Sequence, residues 1–288
     1  MTKEPRQGLA AEALRLVASC RQAGQDKTII QDEEHDDWIH LTRVGTKRLR
    51  SAWHLMRDVV GVDRAQQARE RLRQISAAVS THRDRHVRLK AIRHLKESPL
   101  PKTRRSSRRG KKAAFSDPVV DWQLLETVAE KEMVSTEKVN HSLLENLWKA
   151  EASDWETVRT SPEEERKAIR RGLRRSQRKV RNLTVKAANK SDPLLWHDWR
   201  KKVKRLRYQQ EMVAQLQGRK PGRRLIRLAR LGTMLGERND LVALRHWLTA
   251  GTVRNPGTDI SAALEVIGSH ESSVMNRAEK LGRSLLNA

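Results

Sequence analysis

His40-Leu41-Thr42-Arg43-Val44-Gly45-Thr46-Lys47-Arg48-Leu49-Arg50 is a stretch that the chain repeats 157 residues later. The second copy reads His197-Asp198-Trp199-Arg200-Lys201-Lys202-Val203-Lys204-Arg205-Leu206-Arg207. Six positions carry the same residue at identical spacing: a His, an Arg three positions on, and the run Lys-Arg-Leu-Arg from the seventh position. Trp38 and Trp196 lie just before the two His residues. We interpret this as an internal duplication, which predicts two similar halves related by a pseudo-two-fold axis.

The charge balance of the chain is strongly basic. Its 288 residues include 60 Lys and Arg against 35 Asp and Glu, a formal net charge of +25. In a compact fold so many positive side chains repel one another, and this repulsion is relieved when a polyanion binds. The candidate partners are therefore nucleic acid, an anionic membrane and inorganic polyphosphate. No apolar run is long enough to span a bilayer. We expect no secretory signal and a cytoplasmic location, and Cys20, as a single Cys, excludes an internal disulfide.

The residue pattern predicts an all-α fold. Good helix formers dominate, and alternating runs of β-branched and aromatic residues are missing. Pro, Gly, Asp and Asn signals divide the chain into successive helices. Capping signals predict helix starts at Ser161-Pro162 and at Asp192-Pro193. The same signals predict one helix from about 118 to 150, and a break near Gly236 followed by a short helix capped at Asn239–Asp240.

We predict a single domain over 1–288 that contains two helical repeats. The first repeat spans about 8–150 and the second about 160–288. Inside the first, residues 99–118 are rich in Pro, Ser, Arg and Lys and form a linker. This linker is either a solvated loop or a mobile basic arm that grips a polyanion, and the two interpretations are compatible.

Basic side chains line one side of each motif helix. A helix turns about 100° per residue, so the spacing gathers them into a sector about 100° wide. On the first motif helix this stripe holds His40, Arg43, Lys47, Arg50, His54 and Arg57. On the second it holds His197, Arg200, Lys204 and Arg207. Arg48 and Arg205 point toward the apolar side and rank lower.

Two further rows repeat the same spacing. One comprises Arg83, His86, Lys90 and Arg93, and the other Arg171, Arg174, Arg178 and Arg181. Like charges three or four residues apart destabilise a helix, and almost no acids are interleaved here. A solvated face is the alternative for any one stripe, but the duplicated stripe headed by His indicates a phosphate-bearing ligand.

The repeated motif and the Arg83-Asp84 segment resemble the CHAD family, the conserved-histidine α-helical domain, over roughly residues 8–286. The resemblance implies two pseudo-symmetric antiparallel four-helix bundles with a basic central groove or pore. It also implies binding of long-chain inorganic polyphosphate and association with polyphosphate granules. Family members are often fused to a CYTH domain. No such sequence is present in this chain, so we expect a stand-alone copy.

The resemblance also implies which residues contact the ligand. Carried across the motif, they are His40, Arg43, Lys47, Arg50, His197, Arg200, Lys204 and Arg207, with Arg83 added. From the stripes we add His54, Arg57, Lys90, Arg174 and Arg178, and place Arg48, Arg205, His86, Arg93, Arg171 and Arg181 in a second tier. The second half departs from strict repetition, since Glu211, Ala214 and Asn239 stand where the first half has His54, Arg57 and Arg83.

Nucleic acid is the first alternative partner, as a secondary polyanion. Proteins that bind single strands stack bases on aromatic side chains, and the basic rows carry no Tyr or Phe. Binding to a membrane surface would need an apolar helix face beyond what the core requires. We therefore predict polyphosphate as the partner and no membrane.

Catalysis and metal binding are the remaining alternatives. An enzyme acting on polyphosphate needs carboxylates that hold Mg²⁺, or a phosphorylated His. The sequence has no Walker loop, so we predict no enzyme, no catalytic residue and no cofactor, with a phosphohistidine at His40 or His197 as an open alternative. His82 and His86 have the spacing of a helical zinc pair but no obvious third ligand, so we predict no metal site.

Overall fold

The structure, a computed structural model, describes residues 8–25, 32–79, 83–98, 120–131, 139–187, 192–250 and 260–286. Within these ranges it consists of ten α-helices and no strand, which confirms the all-α prediction. The helices are α1 (Leu9–Gln25), α2 (Asp32–Val60), α3 (Val62–Ala78), α4 (Arg83–Glu97), α5 (Trp122–Lys131), α6 (His141–Thr157), α7 (Pro162–Ala187), α8 (Pro193–Leu216), α9 (Arg223–Thr249) and α10 (Ile260–Leu286). The predicted linker 99–118 lies outside the described residues.

The predicted capping signals begin α7 and α8. The Asp192 side chain accepts a hydrogen bond from the Leu194 N–H at 2.9 Å, with Pro193 in the first turn of α8. At α7 the Glu164 N–H donates to Ser161 Oγ at 3.2 Å, and the Ser161 N–H donates to Glu164 Oε2 at 2.9 Å. These bonds satisfy backbone donors that a helix start leaves unpaired, so both predicted starts are confirmed.

The predicted single helix over about 118–150 is wrong. α5 and α6 are separate helices, and α6 begins at His141. Its N-cap is Asn140, whose side chain accepts a hydrogen bond from the Leu143 N–H at 3.0 Å. Asn competes well for backbone donors outside helices, so this residue starts a helix inside a stretch whose composition favours continuation.

The predicted break near Gly236 is also wrong, because α9 runs without interruption to Thr249. A Gly inside a helix costs about 1 kcal/mol relative to Ala. Leu235, Leu241 and Leu244 are buried around it, and their contacts outweigh that cost. The motif Asn239–Asp240 therefore lies inside a helix and caps none.

The described helices form two compact units. Unit 1 holds α1, α2, α3, α6, α7, α8 and the start of α9, and unit 2 holds α4, α5, α10 and the remainder of α9. In unit 1, α2 packs against α3, α7 and α8, so the two helices that carry the repeated motif are direct neighbours. Each unit combines helices from both predicted repeats. The duplication and its pseudo-symmetry stay predictions.

A buried polar node lies in the core of unit 1. Trp53 and Trp155 stack with ring centroids 3.9 Å apart. Both indole N–H groups donate to Oε1 of Glu151, at 2.6 and 2.9 Å, and Arg71 donates to its Oε2 at 3.0 Å. Glu151 is fully buried, so these bonds are what makes its charge tolerable in the core. The node ties α2, α3 and α6 together.

Candidate functional site

A cavity of about 480 Å³ opens between α2, α3 and α8 within unit 1. The spacing of the lining residues follows from helix geometry, since positions three, four and seven apart share a face. The residues that line it are Lys47, Arg50, Ser51, Arg69, Arg73, Asp198, Arg200, Lys201, Lys202, Lys204, Arg205 and Tyr208. We refer to it as the basic cavity.

The lining of the basic cavity is almost entirely cationic. Nine of its twelve described lining residues are Lys or Arg, and Asp198 is the single acid among them. Asp198 accepts a hydrogen bond from Lys202 at 2.9 Å within α8. The cavity therefore concentrates positive charge that its own carboxylate does not balance.

The cations of the basic cavity disfavour one another's charge. Burial, followed by the charges of Arg73 and Arg69, lowers the pKa of Arg50. Burial, Arg69 and Arg50 lower the pKa of Arg205 to about 10, against the opposing attraction of Asp198. A lowered Arg pKa means that the folded protein destabilises the charged form. An anion placed among these side chains would reverse that effect.

His54 lies half-buried on α2 and contributes no charge. Burial, then the charges of Arg205, Arg69 and other nearby cations, lowers its pKa to about 2, so it is neutral at physiological pH. Its buried Nε2 has no hydrogen-bond partner among the described residues. Lys179 on α7 stands in the same field: burial, followed by Lys202 and Arg205, lowers its pKa.

The structure brings four of the predicted motif residues into the basic cavity: Lys47, Arg50, Arg200 and Lys204. Other motif residues do not line it. The side chain of His40 is exposed, and those of Arg43 and His197 are half-buried elsewhere. Arg207 donates to Glu211 at 2.6 Å and lies 5.8 Å from the centre of the Tyr208 ring.

The remaining predicted stripe residues whose side chains are described also lie outside the cavity lining. Arg57 pairs with Asp58 at 3.5 Å, and Arg48 donates to Gln215 at 3.0 Å. Arg171, Arg174, Arg178 and Arg181 are exposed on α7. In unit 2, Lys90 is exposed, and Arg93 is paired with Glu126 and Glu130. The side chains of Arg83 and His86, and the whole of His82, lie outside the described residues.

Sequence reasoning missed several lining residues. Arg69 and Arg73 come from α3, and Lys201 and Lys202 come from between the motif positions of α8. Arg205, placed in the second tier, lines the cavity as well. One signal was available: Gly61 alone separates α2 from α3, so α3 folds back along α2 as a helical hairpin. Arg69 and Arg73 lie four residues apart on one face of α3, and the hairpin places that face beside the basic stripe of α2.

Two further observations bear on the class of site. Within the described ranges, no cluster of three or more His, Cys, Asp or Glu side chains is placed to hold a metal ion. None of the helices in the described part of the chain combines the length and apolarity that crossing a bilayer requires.

The described helices and the cavity lined by Lys and Arg side chains place this protein in the class of basic helical-bundle proteins. A sequence model of the CHAD domain matches residues 15–249, which is most of the chain, and the protein belongs to the CHAD family. No match was found among curated proteins or among solved structures.

Proposed function

We propose that the protein binds long-chain inorganic polyphosphate in the basic cavity. The observation that carries the proposal is the lining itself, with nine Lys or Arg residues against one acid. The lowered pKa of Arg205, caused first by burial and then by Arg69 and Arg50, supports it, because a bound polyanion relieves that repulsion.

The size and chemistry of the basic cavity favour polyphosphate over nucleic acid. Its volume equals that of a sphere about 10 Å across. A DNA duplex is too wide to enter such a cavity, because its major groove alone is about 12 Å wide. Single strands are held by stacking bases on aromatic rings. Tyr208 is the one aromatic residue in the described lining; it is buried, and Arg207 lies over its ring. A chain of phosphates needs neither a wide groove nor an aromatic face.

The Arg and Lys side chains of the cavity make different kinds of contact with phosphate. Arg50, Arg200 and Arg205 present planar guanidinium groups that donate two bonds to one phosphate, and Lys47 and Lys204 present compact charges. Binding releases the counterions held by the polyphosphate. The affinity therefore falls steeply as the salt concentration rises.

The proposal includes binding without turnover. Asp198 is the one carboxylate in the described lining. One of its two oxygens already accepts a hydrogen bond from Lys202, which leaves fewer lone pairs for a metal ion. Phosphoryl transfer usually places Mg²⁺ between several oxygen ligands of the protein and the phosphate chain. Incubation with polyphosphate and Mg²⁺ is expected to leave the length of the polyphosphate chain on a gel unchanged.

We propose further that the protein acts in the cytoplasm on polyphosphate granules.

A competition titration tests the proposal. Labelled long-chain polyphosphate is bound to the purified protein at about 150 mM salt, the physiological ionic strength. Unlabelled long polyphosphate, tripolyphosphate, single-stranded RNA and duplex DNA then compete at equal total phosphate. We expect long polyphosphate to displace the label at the lowest concentration. Equal displacement by RNA or DNA would contradict the proposal and indicate a general polyanion surface.

A further inference from the structure

The outer face of α7 carries five arginines that do not belong to the basic cavity. We call this set the outer arginine row: Arg170, Arg171, Arg174, Arg178 and Arg181. All five side chains are exposed. They cover 11 residue steps, which is about 17 Å of helix.

The outer arginine row points away from the helices that build the cavity. α7 packs on α2 and α8 through a stripe of small buried residues that includes Gly172, Ser176 and Val180. At Gly172 the approach is so close that a Cβ atom would lie 2.9 Å from Leu55 Cα. Arg174 and Arg178 are each two residues from Ser176, which places them about 160° around the helix from the packed stripe. The width of α7 therefore separates the row from the cavity.

The charges of the outer arginine row are not neutralised within the described part of the chain. None of the five forms an ion pair with a described residue, and residues 166–187 contain no Asp or Glu. Some exposed cations on other helices are paired, since Arg73 and Arg283 each pair with a Glu three or four residues away. Like charges three or four residues apart, such as Arg174 and Arg178, destabilise α7 by a few tenths of a kcal/mol per pair. A ligand that neutralises them removes this cost.

We propose that the outer arginine row is a second polyphosphate-binding surface, so that one molecule holds two polyphosphate segments at once. The inference rests on the proposed function and adds a separate site to it. Residues 166–187 contain no aromatic side chain on which a base could stack, and Val185 is the one large apolar side chain exposed on α7. A duplex backbone curves away from a straight row, whereas a flexible single chain of phosphates follows it. The chemistry therefore favours polyphosphate over nucleic acid or a lipid surface.

Two sites on one protein give it the ability to bridge. A long polyphosphate held in the cavity leaves the outer row open to a second chain, or to a distant part of the same chain. Once one site is occupied, the second binds at a high effective concentration. The protein then cross-links polyphosphate chains as well as coating them.

Two variants with equal loss of charge separate the sites. The outer-row variant is Arg174→Gln/Arg178→Gln/Arg181→Gln, and the cavity variant is Lys47→Gln/Arg200→Gln/Lys204→Gln. Calorimetric titration with a chain too short to reach both sites measures the number of binding sites. Light scattering with long-chain polyphosphate measures cross-linking. Circular dichroism checks that each variant keeps its helices.

We expect two sites for the short chain on the unmodified protein and one on each variant. Scattering with long chains is expected for the unmodified protein and is lost in both variants. An outer-row variant that keeps two sites and full scattering overturns the inference but leaves the proposed function standing. An outer-row variant that loses duplex DNA binding while polyphosphate binding is unchanged also overturns it. Undiminished binding by the cavity variant, with binding lost in the outer-row variant, instead overturns the proposed function.

Discussion

Arg50 on α2 and Arg205 on α8 line the same cavity, although they occupy different positions of the repeated motif. Arg50 is the tenth residue after His40, and its counterpart in the second copy is Arg207. Arg207 is two residues from Arg205 and so lies about 160° away around α8. The two copies of the motif therefore share one lining position, that of Lys47 and Lys204, but contribute their arginines to the basic cavity from different positions.

Asp198 weakens the affinity of the cavity for anions, because it is the one described lining residue with a negative charge. Asp198→Asn is expected to tighten polyphosphate binding about two- to fivefold, the size of a partly exposed charge interaction. Titration with labelled polyphosphate at constant salt measures this change. Glu279→Gln, which removes an acid paired with Arg283 in unit 2, is the matched control and is expected to leave the affinity unchanged. Weaker binding by Asp198→Asn would show that this carboxylate orders the site.

His54 is expected to make the free energy of unfolding depend on pH. Its pKa is 6.5 when unperturbed and about 2 in the folded protein, because of burial and then the nearby cations. Below about pH 6.5 the unfolded chain gains a proton that the folded protein does not take up. Stability therefore falls as the pH falls through this window, by up to about 1.4 kcal/mol per pH unit.

Urea unfolding of the unmodified protein and of His54→Gln, each at several pH values between about 7 and 4, measures this effect. The variant lacks the titrating group, so the difference in the free energy of unfolding between the two proteins is expected to change steadily as the pH falls. A constant difference over this range would mean that His54 takes up its proton in the folded state as readily as in the unfolded chain.

The sequence predicted the class of the fold and the basic character of several residues that line the cavity, for identifiable reasons. Helix formers and caps act locally, so the starts at Ser161-Pro162 and Asp192-Pro193 could be predicted from short stretches. Gly236 was misjudged because burial of the leucines around it, which local sequence does not show, keeps α9 intact, whereas Asn140 is a local cap that the prediction overlooked.

The site was harder to predict than the fold. A helical stripe indicates which side chains share a face, but it does not show which neighbouring helix covers that face. Lys47 and Arg200 were correctly placed on basic faces, yet the partners Arg69 and Arg73 depend on how α3 packs on α2. Arg205 ranked low because its angle on the helix suggested the core side, where a long side chain can still reach a polar cavity.

Glu151 is expected to be essential for stability. Glu151→Leu leaves the indole N–H groups of Trp53 and Trp155 without their acceptor and removes one partner of the half-buried Arg71. We expect a loss of about 2–4 kcal/mol in the free energy of unfolding, measured by urea denaturation. Glu156→Leu changes an exposed acid on the same helix and is expected to shift stability by less than about 0.5 kcal/mol. Similar losses in both variants would show that the node contributes little.

Gly172 is expected to tolerate no side chain, because α7 approaches the backbone of α2 there. Gly172→Ala would place a Cβ atom 2.9 Å from Leu55 Cα and 3.2 Å from its carbonyl oxygen. A destabilisation of about 1–3 kcal/mol is expected, since backbone atoms cannot move aside cheaply. Gly236→Ala on α9 meets no atom within 4 Å and is expected to stabilise the protein by about 0.5–1 kcal/mol. Thermal unfolding of the two variants tests the contrast, which equal shifts would refute.

The most direct test of the basic cavity compares Arg205→Gln with Arg207→Gln. Both variants remove one positive charge from α8, but Arg205 lines the cavity and Arg207 is paired with Glu211 outside its lining. Titration of labelled long-chain polyphosphate, with circular dichroism to verify folding, is expected to show about a tenfold or larger loss of affinity for Arg205→Gln. Arg207→Gln is expected to bind almost as well as the unmodified protein. An equal or greater loss for Arg207→Gln would contradict binding in the cavity and place the ligand along the motif stripe instead.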